Sequence, residues 1–106
     1  MNILNQLQQN KGAVSSKLGK ELAEKVLKGD NVILKEAVQL CSFNDKNVRA
    51  GAAKIIEKVA EKKPELVSSY LKELFPALDS PEPQTRWMII YAFGYCAKLN
   101  PDIAVL

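Results

Sequence analysis

The sequence predicts an all-α protein, built as a stack of helical hairpins. The first observation is an echo at one fixed offset. Arg86 follows Arg49 by 37 positions and Pro101 follows Pro64 by 37. At that offset Ile55 meets Ala92, Ile56 meets Phe93, Val59 meets Cys96 and Ala60 meets Ala97. A period of this size marks stacked helix pairs rather than a closed globule. The second is spacing: apolar residues recur three and four apart, and no segment alternates with period two. The third is punctuation, because Ser, Asp and Pro stand where helices would begin.

Ile3, Leu4 and Leu7 have helical spacing, so a first helix is expected over about 2–9, ended by Asn10-Lys11-Gly12. Ser15 or Ser16 can cap a second helix whose apolar stripe is Leu18, Leu22 and Val26, with Gly29 as its stop. Asp30 is expected to cap a third helix carrying Ile33, Leu34, Ala37, Val38, Leu40 and Cys41. A polar break, Ser42-Phe43-Asn44-Asp45, precedes a fourth helix that buries Val48, Ala52, Ile55, Ile56 and Val59. Pro64 opens a fifth, lined by Leu66, Val67, Leu71, Leu74, Phe75 and Leu78, with a bend at Pro76. Ser80-Pro81-Glu82 reads as the cap and first turn of a sixth, and Asn100-Pro101-Asp102 as the start of a seventh. The expected organisation is one domain over 1–106: capping helices over 1–29, repeats over 30–62 and 63–99, and a further helix beginning over 100–106.

The chain has 106 residues and a net charge of +3. Residues 1–30 and 31–60 each carry +2, whereas 61–106 carry −1. That field is far weaker than a dedicated nucleic-acid binder shows. With no His, the commonest general base and metal ligand are missing. Cys41 and Cys96 lie in apolar runs without CxxC spacing, so buried free thiols are expected, which fits a reducing compartment and a cytoplasmic location. No signal peptide is indicated, and the longest apolar run, Trp87 to Tyr95, is about half the ~20 residues a membrane span needs.

Ser80-Pro81-Glu82-Pro83-Gln84-Thr85-Arg86 resembles the HEAT-repeat pattern, in which an acid-proline-acid-proline turn leads into Val-Arg and Ala-Ala. Asn44 to Ala53 resembles it more closely, through Val48-Arg49 and Ala52-Ala53. The resemblance covers about 31–103 and is shared with armadillo-like repeats. It implies a right-handed superhelical stack of antiparallel helix pairs, with B helices lining a concave, partner-facing side. It also implies inter-repeat polar contacts from the turn acids Asp45 and Glu82 and from Arg49 and Arg86. The first acid of the turn is replaced by Phe43 in one unit and Ser80 in the other.

Catalysis is not expected. The carboxylate pairs Glu21 with Glu24, Glu57 with Glu61, and Asp79 with Glu82 sit on polar faces or in turns, and no phosphate loop, GxSxG or HExxH is present. No cofactor and no metal is implied. Trp87, Tyr91 and Tyr95 are four apart and line one helix face. The 37-residue offset sets them opposite Ala50, Lys54 and Lys58, the last two expected to face water. Two readings stay open. The aromatics are covered by further chain, such as a next repeat, or they anchor a protein or peptide partner, with Lys54 and Lys58 as a basic rim suited to an acidic one. The expected function is a non-catalytic scaffold or adaptor. Alternatives are nucleic-acid binding, including the alkylated-base excision of some HEAT-like proteins, and a purely structural module. Ile103, Val105 and Leu106 leave an apolar C-terminal edge, so continuation of the chain or self-association there is a further expectation.

Overall fold

A computed structural model describes residues 3–9 and 14–98. All regular structure among them is helical: α1 Ile3–Gln9, α2 Val14–Leu27, α3 Asn31–Leu40, α4 Lys46–Lys62, α5 Pro64–Ser68, α6 Leu71–Leu74, a 3-10 turn Phe75–Asp79, and α7 Pro83–Ala97. The helix start expected at Asn100, and the apolar Ile103, Val105 and Leu106, lie outside the described residues.

α4 is the centre of the fold. It packs against α1, α2, α3, α5 and α7. Val48, Ala52, Ala53, Ile55, Ile56, Val59 and Ala60 are fully buried along it. Its small residues set how closely neighbours approach: a Cβ at Gly51 would collide with Leu7 of α1. Ile3 and Leu7, Leu22 and Val26, Ile33 and Leu34, Val67 and Leu74, and Ile89 complete the same core. Cys41 and Cys96 are both buried free thiols. Desolvation pushes the Cys41 thiol up to about 12 and raises Cys96 as well, so neither is a ready thiolate. The Cys96 thiol donates to the Pro64 carbonyl at 3.6 Å.

Gly29 ends α2 at φ 120. Its N–H donates to Val26 O and the N–H of Asp30 to Lys25 O, the paired bonds of a Schellman stop, which needs a residue tolerant of positive φ. Other boundaries differ from expectation. Ser15 and Ser16 fall inside α2 rather than before it. Asp30 occupies the N-cap position of α3, yet its carboxylate makes no capping hydrogen bond.

The expected fifth helix is broken, and its main break is not at Pro76. Val67-Ser68-Ser69-Tyr70 is a run of weak helix formers, and Ser68 Oγ donates back to Glu65 O at 3.1 Å. The chain leaves the helix at Ser69 and resumes at Leu71. Near Pro76 it tightens instead: the Phe75 N–H reaches Lys72 O, so the carbonyl that proline would leave idle is satisfied by a 3-10 bond. The tightening turns Phe75 outward, where it is exposed and rests on Phe93 at 5.5 Å between ring centres.

α7 starts at Pro83, two residues later than expected. Two prolines compete for the first helical position. Pro83 wins because the residue before a proline is pushed out of the helical region, and Glu82 sits at φ −87, ψ 122. The side chain of Ser80 therefore caps no helix and donates to Glu82 Oε1 at 3.1 Å.

Thr85, in the first turn of α7, is fully buried and its hydroxyl has no hydrogen-bond partner. The 37-residue offset pairs it with Val48, also fully buried. A buried hydroxyl without a partner costs about 1–3 kcal/mol, so Thr85→Val should raise stability by about 1 kcal/mol in urea melts. An unchanged or lowered midpoint would show that the hydroxyl is satisfied.

Candidate functional site

Two assemblies carry the polar and aromatic chemistry of the fold. The first is built on Arg49. Its Nε and Nη2 donate to Oε1 and Oε2 of Glu82, both at 2.8 Å. Its Nη1 donates to Phe43 O at 2.8 Å. One guanidinium thus joins the turn before α4 to the turn before α7. The hydrogen bonds of this fork hold the Glu82 carboxyl below the usual carboxylate range and raise Arg49 above its ordinary value. The four residues expected to make inter-repeat contacts play unequal parts. Asp45 stays within its own turn, its Oδ1 accepting from the N–H groups of Asn47 and Val48 at 2.8 and 3.3 Å. Arg86 Nη1 donates to Ser80 O at 2.7 Å. Glu82, one methylene longer than Asp45 and followed by a proline without N–H, reaches across to Arg49 instead.

The second assembly is the open face of α7. Trp87 is 56% exposed and Tyr91 53%, with Ile90 beside them at 44%. The Trp87 and Tyr91 rings stand 6.2 Å apart between centres. Gly94 continues the stripe with open space where its Cβ would lie. Tyr95 does not belong to this exposed group. It is half-buried against the core, and Lys98 Nζ sits 5.7 Å from its ring centre. The expected three-ring stripe is therefore an exposed pair plus one packed ring.

The basic rim is not free. The Lys54 stem lies against α2, where a Cβ at Gly19 would come within 2.6 Å of its Cγ. Its amine pairs with Glu57 at 3.2 Å, and Lys58 with Glu61 at 3.5 Å. The two lysines differ: α2 covers the Lys54 stem, whereas Lys58 and its partner Glu61 stay at the surface, and each amine pairs with an acid on its own helix. These pairings occupy Glu57 and Glu61, and the Arg49 fork occupies Glu82, from the candidate carboxylate pairs. Ile90 was missed in sequence. The signal available was its offset partner, Ala53, which is fully buried, together with an α7 that is apolar all round.

Among the described residues no group of three or more His, Cys, Asp or Glu is placed to hold a metal. No described helix is long and apolar enough to cross a membrane. Scans against family models, curated proteins and solved structures each return no match for this chain.

The depressed carboxyl of Glu82 makes a signed prediction. Stability from a lowered folded pKa is fully present above the unfolded value of about 4.3 and is lost as pH falls through the folded one. Glu82→Gln should cost about 1–2 kcal/mol near pH 7, for a partly exposed bidentate pair. The gap to wild type should hold down to about pH 4.5 and close below it. Urea midpoints across pH 2–7 test this. A gap that does not vary with pH would remove the fork as its cause.

Proposed function

We propose that this chain is a non-catalytic interaction module that binds a protein or peptide through the exposed face of α7, with Trp87 and Tyr91 as anchors and Ile90 beside them. The observation that carries the reading is the joint exposure of these three residues on one regular helix. Large aromatics that are rigid, contiguous and open to solvent are the side chains on which binding energy concentrates. The architecture we infer is a HEAT-like, right-handed stack of antiparallel helix pairs, in which this face is the concave one. Pairing of the lysines with glutamates removes the reason to prefer an acidic partner here. Nucleic acid is the less supported class, because the charge balance is weak and Lys54, Lys58 and Arg49 are already engaged. Two buried thiols without a disulfide are compatible with a reducing compartment, and we place the protein in the cytoplasm.

Trp87→Ala with Tyr91→Ala should leave stability within about 0.5 kcal/mol of wild type, as expected for exposed positions. A protein retained from lysate by wild type should be lost by the double variant, and when bound it should shield Trp87 emission from acrylamide. Unfolding of the variant where wild type is folded would place the rings in the core instead. Duplex-DNA binding with a steep salt slope would favour the nucleic-acid reading.

A further inference from the structure

The two units share two arginine hydrogen bonds at the 37-residue offset and differ in what their turn acids do. In the first, Arg49 N–H donates to Asp45 O at 2.9 Å, and Arg49 Nη1 to Phe43 O at 2.8 Å. In the second, 37 positions on, Arg86 N–H donates to Glu82 O at 3.2 Å, and Arg86 Nη1 to Ser80 O at 2.7 Å. The fork of Arg49 then takes Glu82, the residue just before the next packed helix. Among the described residues no carboxylate does this for Arg86.

The apolar surroundings differ in the same sense. Ala53, Ile56 and Ala60 share the α4 face that bears Arg49, opposite the Gly51 and Lys54 side that meets α1 and α2. All three are fully buried. Their partners at the offset are Ile90, Phe93 and Ala97 on α7. Ile90 is 44% exposed, and the other two are half-buried. In the layer beneath, buried Val38 corresponds to exposed Phe75. What α4 covers by packing against α7, α7 leaves uncovered.

We propose that this outer edge of α7 is a docking site for a helix of another protein. That helix carries a carboxylate at the residue before its first turn, held by the Arg86 fork, and an apolar stripe seated on Ile90, Phe93 and Phe75. The occupant follows from the α4–α7 contact itself, which this edge would continue with the same cation and the same kind of face. A cation whose fork is already oriented by a backbone carbonyl selects an acid at that cap position, and the apolar edge alone would not. The site adjoins the Trp87–Tyr91 face and shares Ile90 with it, whereas Arg86, Phe93 and Phe75 belong to the edge alone.

The probe is a synthetic peptide of residues 71–98 of this chain, which presents Glu82 ahead of a helix, titrated into the full chain and followed by backbone amide shifts. Saturable shifts are expected at Phe75, Arg86, Ile90 and Phe93. Arg86→Gln and Arg86→Lys should each weaken affinity about tenfold. A peptide with Glu82→Gln should lose the same factor on wild type and nothing further on Arg86→Gln. Ile90→Glu, at an exposed position, should block binding and leave the urea midpoint of the protein unchanged. Binding unaffected by Arg86 or Ile90 variants, or absent up to about 1 mM, would overturn the proposal. Shifts confined to Trp87 and Tyr91 would do the same and leave the aromatic face standing. Binding that appears only after deletion of residues 99–106 would assign the edge to this chain's own segment. Concentration-dependent dimerisation of the chain alone, abolished by Ile90→Glu, would assign it to a second copy.

Discussion

The fork between Arg49 and Glu82 is the constraint on which the arrangement of α7 depends. Hydrophobic burial supplies most of the stability of any such core, but it is non-directional and would accept α7 at several registers on α4. A planar guanidinium with two parallel bonds of 2.8 Å accepts one. A third bond, to Phe43 O, fixes the guanidinium to the loop before α4. The position of the α7 start is therefore inherited from the α4 start through a single side chain. Trp87, one turn beyond Glu82, takes its direction from the same source.

That fork works because α4 is narrow where it must be. Gly51, Ala52, Ala53 and Ala60 are all buried, and each removes a side chain that would hold a neighbouring helix away. Close packing on several sides leaves α4 little free surface. Two of its lysines pair locally, Lys54 with Glu57 and Lys58 with Glu61. Such pairs contribute only about 0–1 kcal/mol each. Their larger consequence is that the groove between α2 and α4, lined by Lys20, Lys58 and Lys62 with Glu24 and Glu61, carries only a small excess of positive charge.

Much of this was legible in the sequence, and the parts that were not share a cause. Helical spacing located α2, α3 and α4, and the offset of 37 correctly paired core positions such as Ile55 with Ala92. Both signals are repeated over many residues and survive local exceptions. What failed were choices made by one or two residues. Pro81 and Pro83 are equally good first-turn prolines in composition, and only the backbone of Glu82 decides between them. The Ser68-Ser69 break is a competition of small propensities. The wrong expectation for Lys54 came from treating equivalent positions as equivalent environments, when α2 lies over one of them. In the candidate site Trp87 and Tyr91 were legible from spacing of four. Ile90 and the outward turn of Phe75 were not, because their exposure depends on what does or does not pack next to them.

The apolar residues of α7 are spread around its whole circumference. Thr85, Ile89, Ala92 and Cys96 are buried in the core, and that stripe alone would hold the helix in place. Trp87, Ile90 and Tyr91 add nothing comparable, because a side chain about half open to water has left much of its transfer free energy unrealised. A helix apolar on all sides is ordinarily enclosed on all sides. Here α4 takes one side and the underlying helices another, so the open face and the outer edge of α7 remain. Those two surfaces meet at Ile90 and differ in character: the face offers the Trp87 and Tyr91 rings, whereas the edge offers an oriented cation beside phenyl groups. They would therefore select different ligands, and one helix can present both because its neighbours enclose only part of its circumference.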